Sequence, residues 1–373
     1  MNPTHSRGVR AWARSLTATV AVVATTAFLA ACSSTAPAPA TTETSSGPLI
    51  DAARCAENEA AGKLTYVNTF GNPRPEILYA ITQGWYKDNF CLDVDMVTDT
   101  KTSTQIVSAG TAQITSTGSI SNAIQYADAG LNLTAIATLS YKSQYTLLTQ
   151  KQYTDLKQLE GKTIGYHTIV PIPLSQMLTK AGVDVSTINW VNDTTYNPTL
   201  LTSGAYDAIQ AYTNNEPLTL KSKGLEFNEY DPGDYGITGS SNVYLANTTY
   251  LNEHRSAVQD WLLQTLEAYQ YCEANIDDCI SVVQKAVEDS GQSYDKQHET
   301  DSWMLTRQAM DENTLPGKGV GQQTPEAWQG EFISLVQYDQ IKNARSIDLT
   351  KLVDSTIADE LYEDGQLLWP GKD

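Results

Sequence analysis

The sequence predicts an α/β fold of two lobes that are joined by two crossover segments. From about residue 64 to residue 139, segments typical of strands alternate with segments typical of helices, which favours a mainly parallel sheet. The same alternation resumes after residue 145, and the chain becomes helical from about residue 242. A second α/β unit inserted into the first requires the chain to cross between the units twice. Ligands of such sheets bind beyond the carboxyl ends of the strands, here between the lobes.

The first 31 residues are predicted to be a signal peptide. Three arginines precede an apolar stretch from Leu16 to Ala31, which is short for a membrane-spanning helix. The stretch ends in Leu29-Ala30-Ala31-Cys32, and small residues before a cysteine resemble a bacterial lipobox. The pattern therefore predicts cleavage before Cys32 and a diacylglycerol on its thiol. The alternative is an ordinary secretory signal with a chance cysteine.

Residues 32–60 are predicted to be the lipidated cysteine and a disordered tether. From residue 33 to about residue 48 the chain is almost entirely Ser, Thr, Ala and Pro, a composition that cannot bury apolar surface. The tether is expected to hold a folded body away from the membrane.

The net charge and the distribution of apolar residues exclude two classes of protein, nucleic-acid binders and polytopic transporters. The 373 residues contain 24 Lys+Arg and 43 Asp+Glu, a net charge of −19, whereas nucleic-acid binding needs a basic face. No second long apolar run follows the N-terminal one, which excludes a polytopic transporter. An acidic body is repelled by anionic lipid, so membrane attachment has to come from the two acyl chains on Cys32.

Four cysteines remain after Cys32, and an even number in an exported chain indicates two disulfides. Cys272 and Cys279 are predicted to close a short helix–loop–helix, which leaves Cys55 to pair with Cys91. The alternative is buried free thiols. The spacing lacks a C-x₂-C pair, so no zinc site is expected, and no other metal or cofactor is expected either.

Each lobe has its own predicted elements. For lobe 1, residues 61–145 and 240–373, we predict strands Leu64–Phe70, Leu92–Val97, Ala112–Thr115 and Leu133–Leu139, and helices Glu76–Asn89 and Ser119–Ala129. For lobe 2, residues 146–239, we predict strands Thr163–His167 and Tyr206–Tyr212, and helices Pro173–Lys180 and Glu216–Lys223. The helical return to lobe 1 is predicted at Ser256–Cys272, Asp278–Glu288 and Leu349–Leu361.

Several stretches together resemble a known family over residues 62 to 360. They are Phe70-Gly71-Asn72-Pro73, the run from Tyr79 to Lys87, the strand Leu92–Asp95, the run from Leu156 to Gly165, Tyr206 to Pro217, and Asp234-Tyr235-Gly236. The chain thereby resembles the substrate-binding proteins of ABC importers, in the group of the sulfonate, taurine and nitrate binders and the thiamine-pyrimidine-precursor binders. The resemblance implies a two-lobed type II periplasmic binding protein fold with two crossover strands and C-terminal helices.

The same resemblance implies a function. A monomer anchored on the extracytoplasmic face of the cell membrane would capture a small molecule and deliver it to the permease subunits, without covalent chemistry. The Asn-Glu-Pro stretch at residues 215–217 is more similar to the pyrimidine-precursor subgroup, although Thr69 stands where a Trp often occurs and Pro75 where a His often occurs. The alternatives are a sulfonate-, taurine- or nitrate-type binder, a pyrimidine-synthase-like enzyme, or a surface receptor.

The candidate ligand residues lie where the predicted strands end. In lobe 1, Phe70 is expected to stack on a planar ligand or to pack under the first helix. Hydroxyls at a helix N-terminus form a polar site or simply cap the helix. The lobe 1 candidates are Thr69, Phe70, Thr117, Ser119 and Tyr141.

In lobe 2, the stretch that follows Tyr212 places amide and carboxylate groups at the cleft edge. Glu216 is expected to accept hydrogen bonds from ligand N–H groups and to repel an anion, or else to act on the N-terminus of its own helix. His167 is expected either to donate to a ligand oxygen or to be structural. The lobe 2 candidates are His167, Thr168, Tyr212, Asn214, Asn215 and Glu216.

Overall fold

The computed structural model describes residues 47–167, 170–195 and 197–370. The predicted signal peptide and the predicted lipidation site Cys32 lie outside the described residues. Within the described ranges, no helix is both long enough and apolar enough to cross a membrane.

The described residues form twelve strands and fifteen α-helices. The strands are β1 (Lys63–Asn68), β2 (Asp93–Thr98), β3 (Ile114–Thr117), β4 (Leu133–Ser140), β5 (Tyr145–Thr149), β6 (Thr163–Tyr166), β7 (Asn189–Asn192), β8 (Ala208–Tyr212), β9 (Asn228–Tyr230), β10 (Ser241–Asn247), β11 (Tyr362–Glu363) and β12 (Gln366–Leu367). The helices are α1 (Ala52–Ala60), α2 (Pro75–Thr82), α3 (Trp85–Phe90), α4 (Ser103–Ser108), α5 (Ile120–Asp128), α6 (Ile172–Lys180), α7 (Thr199–Thr202), α8 (Glu216–Ser222), α9 (Thr248–Glu253), α10 (Arg255–Ala274), α11 (Ile276–Asp289), α12 (Lys296–Glu312), α13 (Gln329–Gln337), α14 (Leu349–Leu352) and α15 (Thr356–Asp359).

The first large sheet has the strand order β2-β1-β3-β10-β4. Strand β1 runs parallel to β2 and β3, whereas β10 runs antiparallel to β3 and β4. Side chains of β1 alternate between the two faces, so Tyr66 packs in one core with α2, α10 and α12, and Val67 packs in the other with α5 and α13. The sheet is therefore buried on both faces, as parallel strands require.

The second large sheet repeats this arrangement with the order β7-β6-β8-β5-β9. Strand β6 is parallel to β7 and β8, and β5 is antiparallel to β8 and β9. The chain enters this sheet between Ser140 and Tyr145 and leaves it between Tyr230 and Ser241. The α/β class and the two crossover segments are confirmed, while the lobe boundaries at residues 145/146 and 239/240 stay predictions.

Helix α1 corrects the predicted extent of the tether, because residues 52–60 are helical and attached to the folded body. Asp51 caps the helix by accepting from the Arg54 backbone N–H at 2.8 Å. The Arg54 guanidinium contacts both carboxylate oxygens of Asp260 at 2.9 Å, and the buried Asn58 donates to the Phe90 carbonyl at 2.8 Å. The composition that indicated disorder ends near residue 48, so the prediction of a tether to residue 60 was wrong.

The predicted helix from Glu76 to Asn89 is divided into α2 and α3. Gly84 separates them with a φ of +75°, a left-handed conformation that glycine adopts without the steric cost of a Cβ. The periodicity of the apolar residues was correct on both sides of Gly84, but the glycine reorients the chain between them.

Two disulfides join the cysteines in the predicted pairing. Cys55–Cys91 attaches α1 to the residue that follows α3, and Cys272–Cys279 joins α10 to α11. Cys55, Glu59 and Cys91 are also close enough together to suggest a metal site, but both thiols are consumed by the disulfide.

Candidate functional site

Helix α12 packs in the core of the first sheet and also contacts the loop that follows β8 of the second sheet. Its Trp303 is buried in the core of the first sheet, while His298 and Thr306 contact the loop that follows β8 of the second sheet. The Asn214 side-chain amide donates to Thr306 Oγ1 at 2.8 Å, and His298 Nε2 donates to Asn215 Oδ1 at 2.9 Å. Because α12 belongs to the helical return, these two hydrogen bonds join distant parts of the chain.

Glu216 is the first residue of α8, and its carboxylate is folded back toward the end of β8. The residue is 3% exposed. Its Oε2 accepts from the Tyr212 backbone N–H at 2.7 Å, and its Oε1 accepts from the Asn215 amide at 3.3 Å. Burial raises the pKa of Glu216, and the backbone N–H of Tyr212 and the nearby rings of His167 and His298 partly oppose the shift.

His167 and Tyr212 lie beside Glu216 at the ends of β6 and β8. The His167 ring is 8% exposed, and its Nδ1 donates to the Asp193 carbonyl at 2.8 Å. That contact fixes which ring nitrogen carries a proton, since a carbonyl oxygen only accepts. The Tyr212 ring packs 5.2 Å from the Tyr145 ring, tilted by 33°. Thr168, the remaining candidate of this lobe, lies outside the described residues.

On the lobe 1 side, Thr69 and Phe70 follow β1. The Thr69 hydroxyl donates to the Ser116 carbonyl at 2.6 Å, so it ties the end of β1 to β3. The Phe70 ring is half-buried and lies 5.5 Å from the guanidinium carbon of Arg74. Phe70 is thus held by a cation–π contact and retains a partly exposed ring.

Arg74 anchors the loop that carries Phe70. Its Nε donates to Glu76 Oε1 at 3.0 Å, its Nη1 donates to Asn242 Oδ1 at 3.2 Å, and its Nη2 contacts the Tyr269 hydroxyl. Glu76 is fully buried and also accepts from Trp303 Nε1 at 3.0 Å. This network positions the end of β1 against α10, α12 and the start of β10.

The other lobe 1 candidates have structural partners. Thr117 is buried, and Ser119 caps α5 by accepting from the Asn122 backbone N–H at 3.2 Å. The Tyr141 hydroxyl donates to the Gln322 carbonyl at 3.3 Å, within the C-terminal segment. Ligand contact by each residue in the predicted set stays a prediction.

Two cavities lie beside the crossover segments. One contains about 470 Å³ of space, part of it open to solvent, and it is lined by the start of α5, by Ser143, by the start of α6, and by Glu331. The other contains about 610 Å³, also partly open, between Lys142, Asn214 and α12. Both therefore draw residues from each side of the predicted cleft.

The sequence-based predictions did not include Arg74, His298, Glu331 or Glu299, whose Oε1 accepts from the Asn72 side-chain amide at 2.8 Å. The pattern that would have located two of them is the apolar spacing of Trp303 and Met310 on a helix, which the structure shows as α12. No local pattern points to Arg74 or Glu331. Glu76 is close to Arg74 in the chain, but the other partners of Arg74 and the partner of Glu331 are far away in the chain.

We expect the protein to become more stable as the pH falls from 8 to about 5.5. Burial raises the pKa values of Glu216, Glu299 and Glu331. A carboxyl group whose pKa is higher in the folded state contributes stability that is complete below the unfolded-state pKa and is lost as the pH rises through the folded-state pKa. The free energy of unfolding in urea, measured across this range, tests the expectation.

The Glu299→Gln variant should show a weaker pH dependence than the wild type, because one of the carboxyl groups whose pKa is raised by burial is gone. The exposed Glu326, replaced by Gln, should leave the pH profile unchanged and provides the control. Identical profiles for the wild type and Glu299→Gln would contradict the assignment.

Comparison with solved structures identifies the class of fold. The periplasmic aliphatic sulphonate binding protein SsuA from Escherichia coli superimposes with a TM-score of 0.59 at 13% identity, over 83% of this chain and 97% of that chain. The ligand-binding component of an ABC-type import system from Staphylococcus aureus superimposes with a TM-score of 0.58 at 11% identity, over 80% and 98%. The fold is that of the two-lobed periplasmic binding proteins, as the resemblance implied.

The family follows from residues 75–278, which match the NMT1/THI5-like family model. The chain belongs to the NMT1/THI5-like family. A formylaminopyrimidine-binding protein from Halalkalibacterium halodurans is 25% identical over 271 residues, which cover 69% of this chain and 79% of the relative. The relative from Halalkalibacterium halodurans and the structure from Escherichia coli are both named as binding proteins, in agreement with the expectation of capture without covalent chemistry.

Proposed function

We propose that the chain is the extracytoplasmic substrate-binding lipoprotein of an ABC importer and that it captures a small nitrogen heterocycle of the aminopyrimidine type. The observation that carries this ligand class is the buried carboxylate of Glu216. Among the described residues it forms no ion pair with a Lys or Arg side chain, so its acceptor capacity is not neutralised by a fixed cation. Amino and ring N–H groups suit such an acceptor, whereas an anion is repelled by it.

The surroundings of Glu216 support the same ligand class. Tyr212 and Tyr145 offer aromatic faces on the second sheet, and Phe70 offers a partly exposed ring after β1 of the first sheet. A flat heterocycle gains apolar contact by stacking on such rings while its edges form hydrogen bonds. The relative from Halalkalibacterium halodurans, which is named for binding a formylaminopyrimidine, agrees with this assignment.

Closure of the two lobes is the proposed capture step. The crossover segments at residues 141–144 and 231–240 would act as hinges, and the contacts of α12 with Asn214 and Asn215 would form as the lobes approach. The ligand would shift the population toward the closed form because it makes contacts with both lobes only there. The closed form would then dock on the permease subunits.

Attachment to the membrane is part of the proposal. The lipobox-like Leu29-Ala30-Ala31-Cys32 would place two acyl chains on Cys32, which is the number needed for firm anchoring. The residues from Cys32 to about residue 48 would span the distance to the folded body on the extracytoplasmic face.

The test is ligand binding by the purified mature chain, measured by isothermal titration calorimetry and by thermal shift. A formylaminopyrimidine and simpler aminopyrimidines should bind and raise the melting temperature by mass action, whereas taurine, alkanesulfonates and nitrate should not. If sulfonates or nitrate stabilise the protein and the pyrimidines do not, the proposed ligand class is wrong and the sulfonate-type alternative holds.

Glu216→Gln should weaken pyrimidine binding at least about tenfold, because a hydrogen bond to a charged acceptor contributes about 1.5–3 kcal/mol. The variant keeps the shape of the side chain, so the fold should be retained. Glu226→Gln, an exposed position in the same lobe, is the matched control and should bind like the wild type. Unchanged affinity of Glu216→Gln would remove Glu216 from the site.

A further inference from the structure

Glu331 is a buried acidic residue that the proposed capture step does not use. It lies on α13, and its Oε2 accepts from the Ser121 backbone N–H at 2.8 Å and from the Ser121 hydroxyl at 2.6 Å. The neighbouring Ile120 N–H donates to Ser240 Oγ at 2.8 Å. Two N–H groups of the first turn of α5 are thus satisfied by side chains from other parts of the chain, one of which is a carboxylate.

The negative charge of Glu331 has no fixed counter-charge. The residue is 8% exposed, and none of the ion pairs formed by Lys and Arg in the described ranges includes it. Burial raises its pKa, and the donors Ser121 and Ser240 oppose that shift. The carboxylate is therefore held by the positive end of α5 and by hydroxyl and amide donors. A helix N-terminus with such donors also binds free anions.

This carboxylate also lines the cavity beside the starts of α5 and α6, which is partly open to solvent. The cavity is bounded by Ser119 at the start of α5, by Ser143 and Ser240 on the crossover segments, by Tyr145 at the start of β5 and by Ile172 at the start of α6. A ligand group that entered the cavity from the cleft would meet Glu331 and the polar side chains around it.

We propose that Glu331 is a specificity-determining residue. Its carboxylate occupies the position at the start of α5 that an anionic ligand group would otherwise take, so that the cavity rejects sulfonate- and nitrate-type ligands and admits neutral or cationic groups with N–H donors. The inference rests on the proposed function for the class of ligand, but the exclusion of anions is tested without that ligand.

The test measures the thermal stability of Glu331→Ala, which removes the carboxylate from the start of α5. Its melting temperature should be lower than that of the wild type and should rise with added acetate, sulfate or methanesulfonate, compared with chloride at equal ionic strength. The rise should be larger than in the wild type, in which sulfate acts only through its general exclusion from the protein surface. Glu326→Ala removes an exposed acidic side chain three residues before the start of α13 and should behave like the wild type.

Glu331→Gln covers the case in which the alanine variant does not fold. This variant keeps the size of the side chain and removes its charge, so it should fold and should respond to the same anions more than the wild type does. If neither folded variant differs from the wild type in its response to anions, or if the wild type is stabilised equally, Glu331 does not exclude anions.

The two proposals fail in different ways. Pyrimidine binding by the wild type, together with anion responses that are the same in all variants, overturns the role of Glu331 and leaves the proposed function intact. An anion-specific response confined to the Glu331 variants, together with no pyrimidine binding by the wild type, overturns the proposed function and supports the role of Glu331.

Discussion

Replacement of Arg74 by methionine is expected to lower the free energy of unfolding by about 3–5 kcal/mol, because it leaves a buried carboxylate without its cation. Glu76 is fully buried and receives hydrogen bonds from Arg74 Nε and Trp303 Nε1, each at 3.0 Å. After the replacement the Trp303 hydrogen bond remains, but the charge of Glu76 has lost its counter-charge in a region that water does not reach.

Urea denaturation of the wild type, Arg74→Met and the double variant Arg74→Met/Glu76→Leu measures the effect. The double variant should recover a large part of the loss, because two apolar side chains can replace a buried ion pair. Lys285→Met removes the cation of a fully exposed ion pair with Asp289 and should have little effect. A small loss in Arg74→Met would show that Glu76 is not held by Arg74.

Loss of Arg74 should also weaken ligand binding. The guanidinium lies 5.5 Å from the Phe70 ring and holds the loop after β1 against Asn242 and Tyr269. Without it, the ring that is proposed to stack on the ligand has no fixed position.

Trp261→Ala is expected to cost about 3–5 kcal/mol, the range for removal of a large aromatic side chain from a core. Trp261 on α10 is completely buried. Its ring stacks on Tyr66 at 5.6 Å and meets the edge of Tyr244 at 5.2 Å, so it contacts β1 and β10 of the first sheet at once. Its removal leaves a cavity at the point where the helical return covers that sheet.

Thermal and urea unfolding of Trp261→Ala, Trp261→Phe and Leu368→Ala test this expectation. Phenylalanine should cost less than alanine, because it keeps an aromatic ring and removes an indole N–H that has no hydrogen-bond partner among the described residues. Leu368 is 46% exposed, so its replacement should change stability by no more than about 0.5 kcal/mol. Equal losses in Trp261→Ala and Leu368→Ala would contradict the burial of Trp261.

Much of the fold could be predicted because its elements are specified locally. The apolar run of β8 and the Pro217 that follows it fix the start of α8, and Ser119 caps α5 as its position indicated. Local rules failed at Gly84, where one backbone conformation divides a periodic segment. They also failed at α1, where composition described the tether up to about residue 48 but not the residues beyond it.

The sequence predicted candidate ligand residues only at the strand ends, and their contact with a ligand stays a prediction. The position of Glu216 after an apolar strand predicted a carboxylate at the cleft edge, but its burial and its folding back onto the Tyr212 N–H came from the structure. His298 reaches Asn215 across 83 residues, and no periodicity within α12 indicates that partner.

The sequence by itself determined the α/β class, the two crossings, the disulfide partners and the strand ends that bear polar groups, because strand and helix periodicities, caps and cysteine spacing act over a few residues. Only the tertiary structure decided that Arg74 contacts Asn242 and Tyr269 and that Glu331 fills the start of α5, 210 residues from Ser121. Such pairings depend on how the helical return packs against the first sheet. Burial then sets their energy, since a charge removed from water must find its partners wherever the fold has placed them.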